Sequence, residues 1–330
     1  MSNPITPAVR HAFETSIVAA EHPHQNAVTR DLHRRRANGE LVALLRGISV
    51  PAAALAPLEH WEVELLRAWA ASALGRVRQP LCRRSAARLL GVPVLRAQSE
   101  PYVHALAWTQ NAARRTTDVR YWATRDDQLH TVEVEGARLT DLPRTLAEWG
   151  ASATFAEAVA AIDWGIRMRR RGDKGPVTSL DEIREVADAL GFVRGRARLE
   201  RALAFADGRS ESAGESWARV LMHELGFEAP ELQLEYRMPD GRRFRADFRW
   251  GSISLACEFD GHVKYRVADA RAGRTVEQVV IEEKEREDAI RSTGDGMLRL
   301  VTADLRDRRL FAHRLEGAGV PRRRRLRSHY

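Results

Sequence analysis

Two apolar runs, R-F-R-A-D-F-R-W and L-A-C-E-F-D-G, each carry an acid where a strand interior should be hydrophobic: Asp247 and Glu258. Both runs are short, rich in aromatic and small apolar residues, and bounded by turn residues, as strands are. A buried, unpaired carboxylate is costly and usually takes up a proton instead. Two of them at the same level of neighbouring strands are tolerable when a cation sits between them. Hard divalent ions are held by one or two carboxylates together with waters and phosphate oxygens. The pattern therefore predicts a metal ion, Mg²⁺ or Mn²⁺, that acts on a phosphodiester.

The 330 residues are enough for two or three domains with separate cores. Lys and Arg number 53 against 45 Asp and Glu, leaving a net charge of +8, and Arg far outnumbers Lys. Guanidinium groups bind phosphate in bidentate fashion, so the excess points toward nucleic acid, although a high-GC genome also inflates Arg and Ala. Cys82 and Cys257 stand far apart among apolar residues and form no C-x-x-C pair. Zinc ribbons and disulfide frameworks are therefore not expected, and two core thiols in a reducing cytoplasm are. No stretch approaches the ~18 apolar residues of a membrane helix, and the N-terminus has no signal-like apolar region. A cytoplasmic protein with no membrane partner is the expectation.

Residues 1–25 show no clear period. From Ala27, V-T-R-D-L-H-R-R-R-A-N-G-E reads as a short basic helix with Thr29 as its N-cap, and Asn38-Gly39 as the turn that ends it. L-V-A-L-L-R-G-I-S-V then reads as a hairpin turning at Arg46-Gly47. A basic helix followed by a basic-tipped hairpin is the end of a winged helix-turn-helix. Beyond it, Trp61, Leu65, Leu66 and Trp69 recur at helical spacing as core residues, R-R-S-A-A-R-L-L-G ends a helix at Gly91, and V-H-A-L-A-W and V-R-Y-W-A-T alternate as strands. His104 and His130 are isolated and read as ordinary histidines. Residues 170–180 look like a linker, after which Ser179 and Glu182 form a capping box. The C-terminal part reads helix, strand, strand, strand, helix, strand, with Asp240-Gly241 as a tight turn.

The segment with Thr29-Arg30, Arg34 to Arg36, Gly39, Leu41 and Arg46-Gly47 resembles the winged-helix domain of AbiEi-like antitoxins. It departs from that family at the wing end, where Ile48-Ser49-Val50 replaces an aromatic residue. The resemblance implies DNA contacts by Arg30, Arg34, Arg35 and Arg36, and insertion of Arg46 into the minor groove. It also raises a cognate toxin as a partner. The alternative is a solvated basic face.

Residues 206–313 resemble the PD-(D/E)XK nuclease superfamily, in the branch related to very-short-patch repair endonucleases. The matching pieces are S-A-G-E-S, R-A-D-F, E-F-D-G followed by Lys264-Tyr265, and E-K-E-R-E-D before L-R-L-V-T-A-D-L. Carried over by position, the resemblance makes Asp247 the strand acid, Glu258 the second acid and Glu215 the acid of the first helix. Asp260 stands where the family has its lysine, so either Lys264 or Lys284 replaces that lysine or Asp260 is a further metal ligand.

On the long helix, Val276, Val280, Glu283, Glu287 and Ile290 fall on one face with Arg286 beside it. That face suits either a cleft, with Arg286 toward DNA, or a salt-bridge network with arginines of the second strand. The tail P-R-R-R-R-L-R-S-H-Y adds salt-sensitive affinity for nucleic acid or is simply solvated.

The expected fold class is a multidomain α/β and α+β chain. A winged helix-turn-helix spans 1–57, an α+β body 58–170, a helical linker 171–205, a restriction-endonuclease-like αβββαβ core 206–320, and a basic tail 321–330. The expected function is a metal-dependent DNA endonuclease. The competing expectation is a non-enzymatic DNA-binding regulator or antitoxin that keeps a degenerate nuclease fold. Oligomeric state is not set by these residues.

Overall fold

Turn and cap chemistry places most elements of this chain. The computed structural model describes residues 4–19, 26–95, 100–108, 115–124, 129–167, 178–191, 194–261 and 276–323. Lys264, residues 170–177 of the expected linker and residues 324–330 of the basic tail lie outside them. The fold is a mixture of helices and several small sheets in two units, Met1–Phe205 and Ala206–Tyr330.

The first unit begins with α1 (Pro7–Glu14), β1 (Ile17–Val18), α2 (Asn26–Ala37), β2 (Leu41–Leu45) and β3 (Ile48–Pro51). Helix α1 was not apparent from periodicity, yet Thr6 accepts from the Val9 amide as N-cap and Pro7 occupies the first turn. Helix α2 starts at Asn26, so Thr29 lies inside it and is not its cap. The β2–β3 hairpin turns at Arg46-Gly47, where Gly47 has a φ of 87° that a side chain would strain. Strand β3 also pairs with β1, giving the order β1-β3-β2.

Next come α3 (Ala52–Leu55), α4 (His60–Ala73), α5 (Arg83–Leu89), β4 (Val103–Ala107), β5 (Val119–Ala123), β6 (Thr131–Val134), β7 (Ala137–Thr140), α6 (Leu142–Gly150) and α7 (Phe155–Ile166). Trp69 is buried, stacks on Phe13 with ring centroids 3.7 Å apart, and donates to the Glu135 carbonyl at 2.7 Å. Trp61 is 40% exposed and belongs to the surface: it shares the side of Leu65 and Trp69 but stands in the first turn of α4, ahead of the buried stretch that begins at Glu62. Strands β4 and β5 pair in parallel, and β4 is buried along its whole length rather than alternating. Parallel strands are covered on both faces, which erases the period of two. Bridges from Leu81 to Ala105 and Leu139 connect β4 to the β6–β7 hairpin. The unit ends with α8 (Leu180–Ala189), closed by the Ser179–Glu182 capping box, and α9 (Arg196–Phe205), both packed on α6 or α7.

The second unit runs α10 (Ala213–Glu224), β8 (Glu231–Arg237), β9 (Arg243–Trp250), β10 (Leu255–Asp260), α11 (Val276–Ser292), β11 (Gly296–Val301), α12 (Thr302–Arg306) and α13 (Arg308–Gly317). Its sheet has the order β11-β10-β9-β8, with β10 parallel to β11 and antiparallel to β9. One face packs Phe248, Trp250, Cys257 and Leu300 against Met222, Phe311 and Leu315. A second cluster gathers Tyr236, Met238, Ala246 and Ala256 around Ile290 of α11. Beside it Asp295 accepts from the Tyr236 hydroxyl at 2.5 Å and from Arg249 at 2.7 Å.

Candidate functional site: paired acids where the sheet opens

Asp247 stands where both ladders of β9 are interrupted. Toward β8, Leu232 pairs with Phe248 and Leu234 with Ala246, but the pair between them, Gln233 with Asp247, is missing. Toward β10, pairing stops at Phe248 and Cys257, one residue short of Asp247 and Glu258. Gln233 has a φ of 55°, a left-handed conformation that costs a non-glycine residue energy and marks the local distortion. The strands part here. The amide of Phe259, released from the ladder, donates instead to Asp247 Oδ2 at 2.9 Å.

Glu215 reaches the same notch from α10. Ser212 caps that helix by accepting from the Glu215 amide at 3.1 Å, and Glu215 reaches back to accept from the Glu211 amide at 2.9 Å. Gly214 lets the helix approach β10, because a Cβ there would run into the Phe259 ring. Gln233 Nε2 then donates to both acids, to Glu215 Oε2 at 2.9 Å and to Asp247 Oδ1 at 3.2 Å. Its own Oε1 is buried with no hydrogen-bond partner among the described residues.

Burial, and next the neighbouring Asp247 charge, raise the Glu215 carboxyl to about 7. Burial also raises Asp247, against the bonds from Phe259 and Gln233 and the field of Arg286. Two desolvated carboxylates that share one amide are short of positive charge. Among the described residues no guanidinium or ammonium bonds either acid directly.

Glu258 is in a different state. Arg286 of α11 bonds its Oε1, and Arg299 of β11 lies 3.7 Å from its Oε2. Arg286 also donates to the Arg245 carbonyl at 3.2 Å, while its buried Nε has no partner among the described residues. Arg245 in turn pairs with Glu211 at 2.5 Å. Arg286 is thus turned to protein groups; Glu287 pairs with Arg291 of its own helix at 2.8 Å and lies 4.0 Å from Arg299 of β11, partners other than the second-strand arginines of the expected network. Asp260 ends β10, half-buried and already engaged. Lys284 is exposed on α11 and makes no bond to these acids. The structure therefore brings together Glu215 and Asp247, and the strand amide beside them. Glu258 sits one strand over, neutralised by arginines.

Gln233 was not legible as a site residue, because in L-Q-L-E-Y-R it is simply the polar member of an alternating strand. Among the described residues no group of three or more His, Cys, Asp or Glu is arranged to hold a metal ion. The donor set at the notch, two carboxylates and an orphaned amide oxygen, is nonetheless all hard oxygen. Mg²⁺ needs one or two protein carboxylates when phosphate and water complete its shell. On chemistry the residues fit such an ion.

In the first unit, the basic groups of α2 and the hairpin are partly committed. Arg34 pairs with Asp31 at 2.5 Å, Arg35 with Glu40 at 3.3 Å, and Arg36 donates to Ser49 Oγ from Nε at 2.9 Å. Arg30 and Arg46 have exposed side chains. The Arg46 amide donates to Asp118 Oδ2 at 2.7 Å, which fixes the hairpin tip.

No family model matches the chain. It is similar to two proteins of Mycobacterium tuberculosis, "Uncharacterized protein MT2308" of strain CDC 1551 / Oshkosh and "Uncharacterized protein Rv2248" of strain ATCC 25618 / H37Rv. Each is 33% identical over 130 residues, which is 38% of this chain and 44% of the relative. The chain thus spans less than half the length of these relatives. No helix among the described residues is long and apolar enough to cross a membrane.

Proposed function

We propose that the second unit is a metal-dependent phosphodiesterase domain of the PD-(D/E)XK type that cuts DNA, and that α2 and the β2–β3 hairpin of the first unit form a winged helix that docks duplex. The observation that carries the reading is the Gln233 amide shared by Glu215 and Asp247 at the opening of the sheet. The order of helix, three strands, helix and strand, and the mixed sheet, also support it.

In this reading Asp247 and Glu215 hold Mg²⁺ or Mn²⁺, which when bound polarises the scissile phosphate and activates water. Gln233 orients both carboxylates. Glu215, raised to about 7, shares a proton near neutral pH and can exchange one at its carboxyl oxygens. Arg286 and Arg299 are placed to compensate charge on Glu258 and on a phosphate brought beside it.

A second reading has its own observation. Glu258 is already neutralised by Arg286, and Asp260 replaces the family lysine. A site locked in that way leaves a DNA-binding regulator or antitoxin on a degenerate nuclease scaffold, with a toxin as its partner.

Plasmid DNA with Mg²⁺ or Mn²⁺ separates the two. Nicking that Asp247→Ala abolishes supports the hydrolase, and equal cleavage by that variant removes this site. Tight duplex binding by the intact protein without any cleavage establishes the regulator.

A further inference from the structure

The first unit contains a cavity of about 270 Å³ that the DNA-directed reading does not use. Its wall includes Arg83, Arg84 and Arg120, with His104, Trp122 and Trp149. Two guanidiniums lie against one indole: the Arg83 carbon is 3.8 Å and the Arg120 carbon 4.1 Å from the Trp122 ring centroid. Stacking on an aromatic face holds an arginine while leaving its N–H edge free to donate.

The acids nearby are already occupied. His104 Nε2 lies 2.6 Å from Glu100, Glu157 accepts from Thr154 Oγ1 at 2.7 Å within a capping box, and Arg84 is held by buried Glu64. Neither Arg83 nor Arg120 has a carboxylate partner among the described residues.

Two donors in the wall are also unsatisfied. Arg83 Nη1 donates to the Glu148 carbonyl at 3.4 Å, but among the described residues Arg83 Nε and Trp149 Nε1 are buried with no hydrogen-bond acceptor, and Trp149 is only 5% exposed. Buried donors normally find an acceptor, so each orphan needs an account. Arg83 is moreover held at a φ of 51°, an unusual conformation for an arginine. Backbone outliers of this kind gather at ligand sites.

We propose that this cavity is a binding site for a small polyanion of the phosphate or pyrophosphate class. Arg83 and Arg120 supply the charge, Trp122 sets their planes, and Trp149 donates its indole N–H. The volume is below the usual range for drug-sized ligands, which favours a compact anion.

The test is isothermal titration of the full chain with inorganic phosphate and with pyrophosphate, at constant ionic strength set by chloride and without divalent ions. One saturable site per chain is expected for at least one of the two. The double variant Arg83→Gln/Arg120→Gln should weaken it at least tenfold, and Trp149→Phe, which removes the N–H together with part of the ring, several-fold. Should the double variant fold poorly, Arg120→Gln decides, because that side chain is exposed and its loss should weaken binding several-fold with an unchanged melting temperature. Absence of saturable binding overturns the proposal, as does binding that these variants leave unaltered.

Discussion

Glu215 and Asp247 accept hydrogen bonds from a single nitrogen, Gln233 Nε2, at 2.9 and 3.2 Å. One amide cannot neutralise two carboxylates, so the pair is destabilising until it gains a proton or a cation. Its consequences are measurable without any assay of activity.

The pH dependence of stability should carry this signature. Glu215 is raised in the folded protein, so the folded state binds more protons than the unfolded one between the ordinary carboxylate range and about 7. Stability therefore falls as pH rises through that window, by on the order of 3 kcal/mol from pH 4.5 to pH 8. Asp295 shifts the other way, held low by its Arg249 bond, and acts only at more acidic pH. Urea unfolding at pH 5 and pH 8 should show the loss, and Asp247→Asn should shrink it. Equal stability at both values in the wild type would contradict the coupling.

Divalent cations should reverse that loss. Mg²⁺ or Mn²⁺ in excess at pH 8 should raise the unfolding midpoint, by an amount set by concentration over dissociation constant. Asp247→Asn and Glu215→Gln should abolish the rise. Calcium-free chloride salts at matched ionic strength serve as the reference.

Arg286→Gln should expose the competition at Glu258. The substitution leaves a mostly buried carboxylate with only the more distant Arg299, and should cost roughly 2–3 kcal/mol. If Glu258 can take part in ion binding, Mn²⁺ affinity should rise several-fold in this variant. A stability loss that Mn²⁺ does not recover would assign Arg286 and Glu258 to a structural bridge.

Gly214→Ala should destabilise, against the usual rule. Alanine in a helix normally gains about 1 kcal/mol over glycine. Here the added methyl meets the Phe259 ring. Displacing that ring also moves the Phe259 amide off Asp247, so a loss of roughly 1–3 kcal/mol is expected together with weaker cation binding. Thermal unfolding with and without Mn²⁺ measures both.

Glu64→Gln should be among the most damaging changes in the first unit. Its carboxylate is buried between Arg84 and Arg88, at 3.1 Å from the latter, and neutralising it removes the charge that both buried guanidiniums share. Breaking such a bridge costs roughly 3–5 kcal/mol. Urea denaturation followed by the tryptophan fluorescence of this unit provides the measurement.

Local chemistry was determined by sequence alone. The Ser179–Glu182 box, the turn at Arg46-Gly47 and Gly91 at the end of its helix follow from caps and left-handed glycines, which act within a few residues. Asp247 and Glu258 stood out for the same reason, as charges in apolar strands. Tertiary structure decided what those charges meet. Gln233, Arg286 and Arg299 lie 14, 39 and 52 residues from Asp247 along the chain, and nothing in local pattern records that one amide joins two acids while two guanidiniums take the third. The cavity around Arg83, Trp122 and Trp149 was likewise hidden, because its members come from a helix start, a strand and another helix that only packing brings together. Caps and turns are read from neighbours in sequence; desolvation and charge pairing depend on neighbours in space.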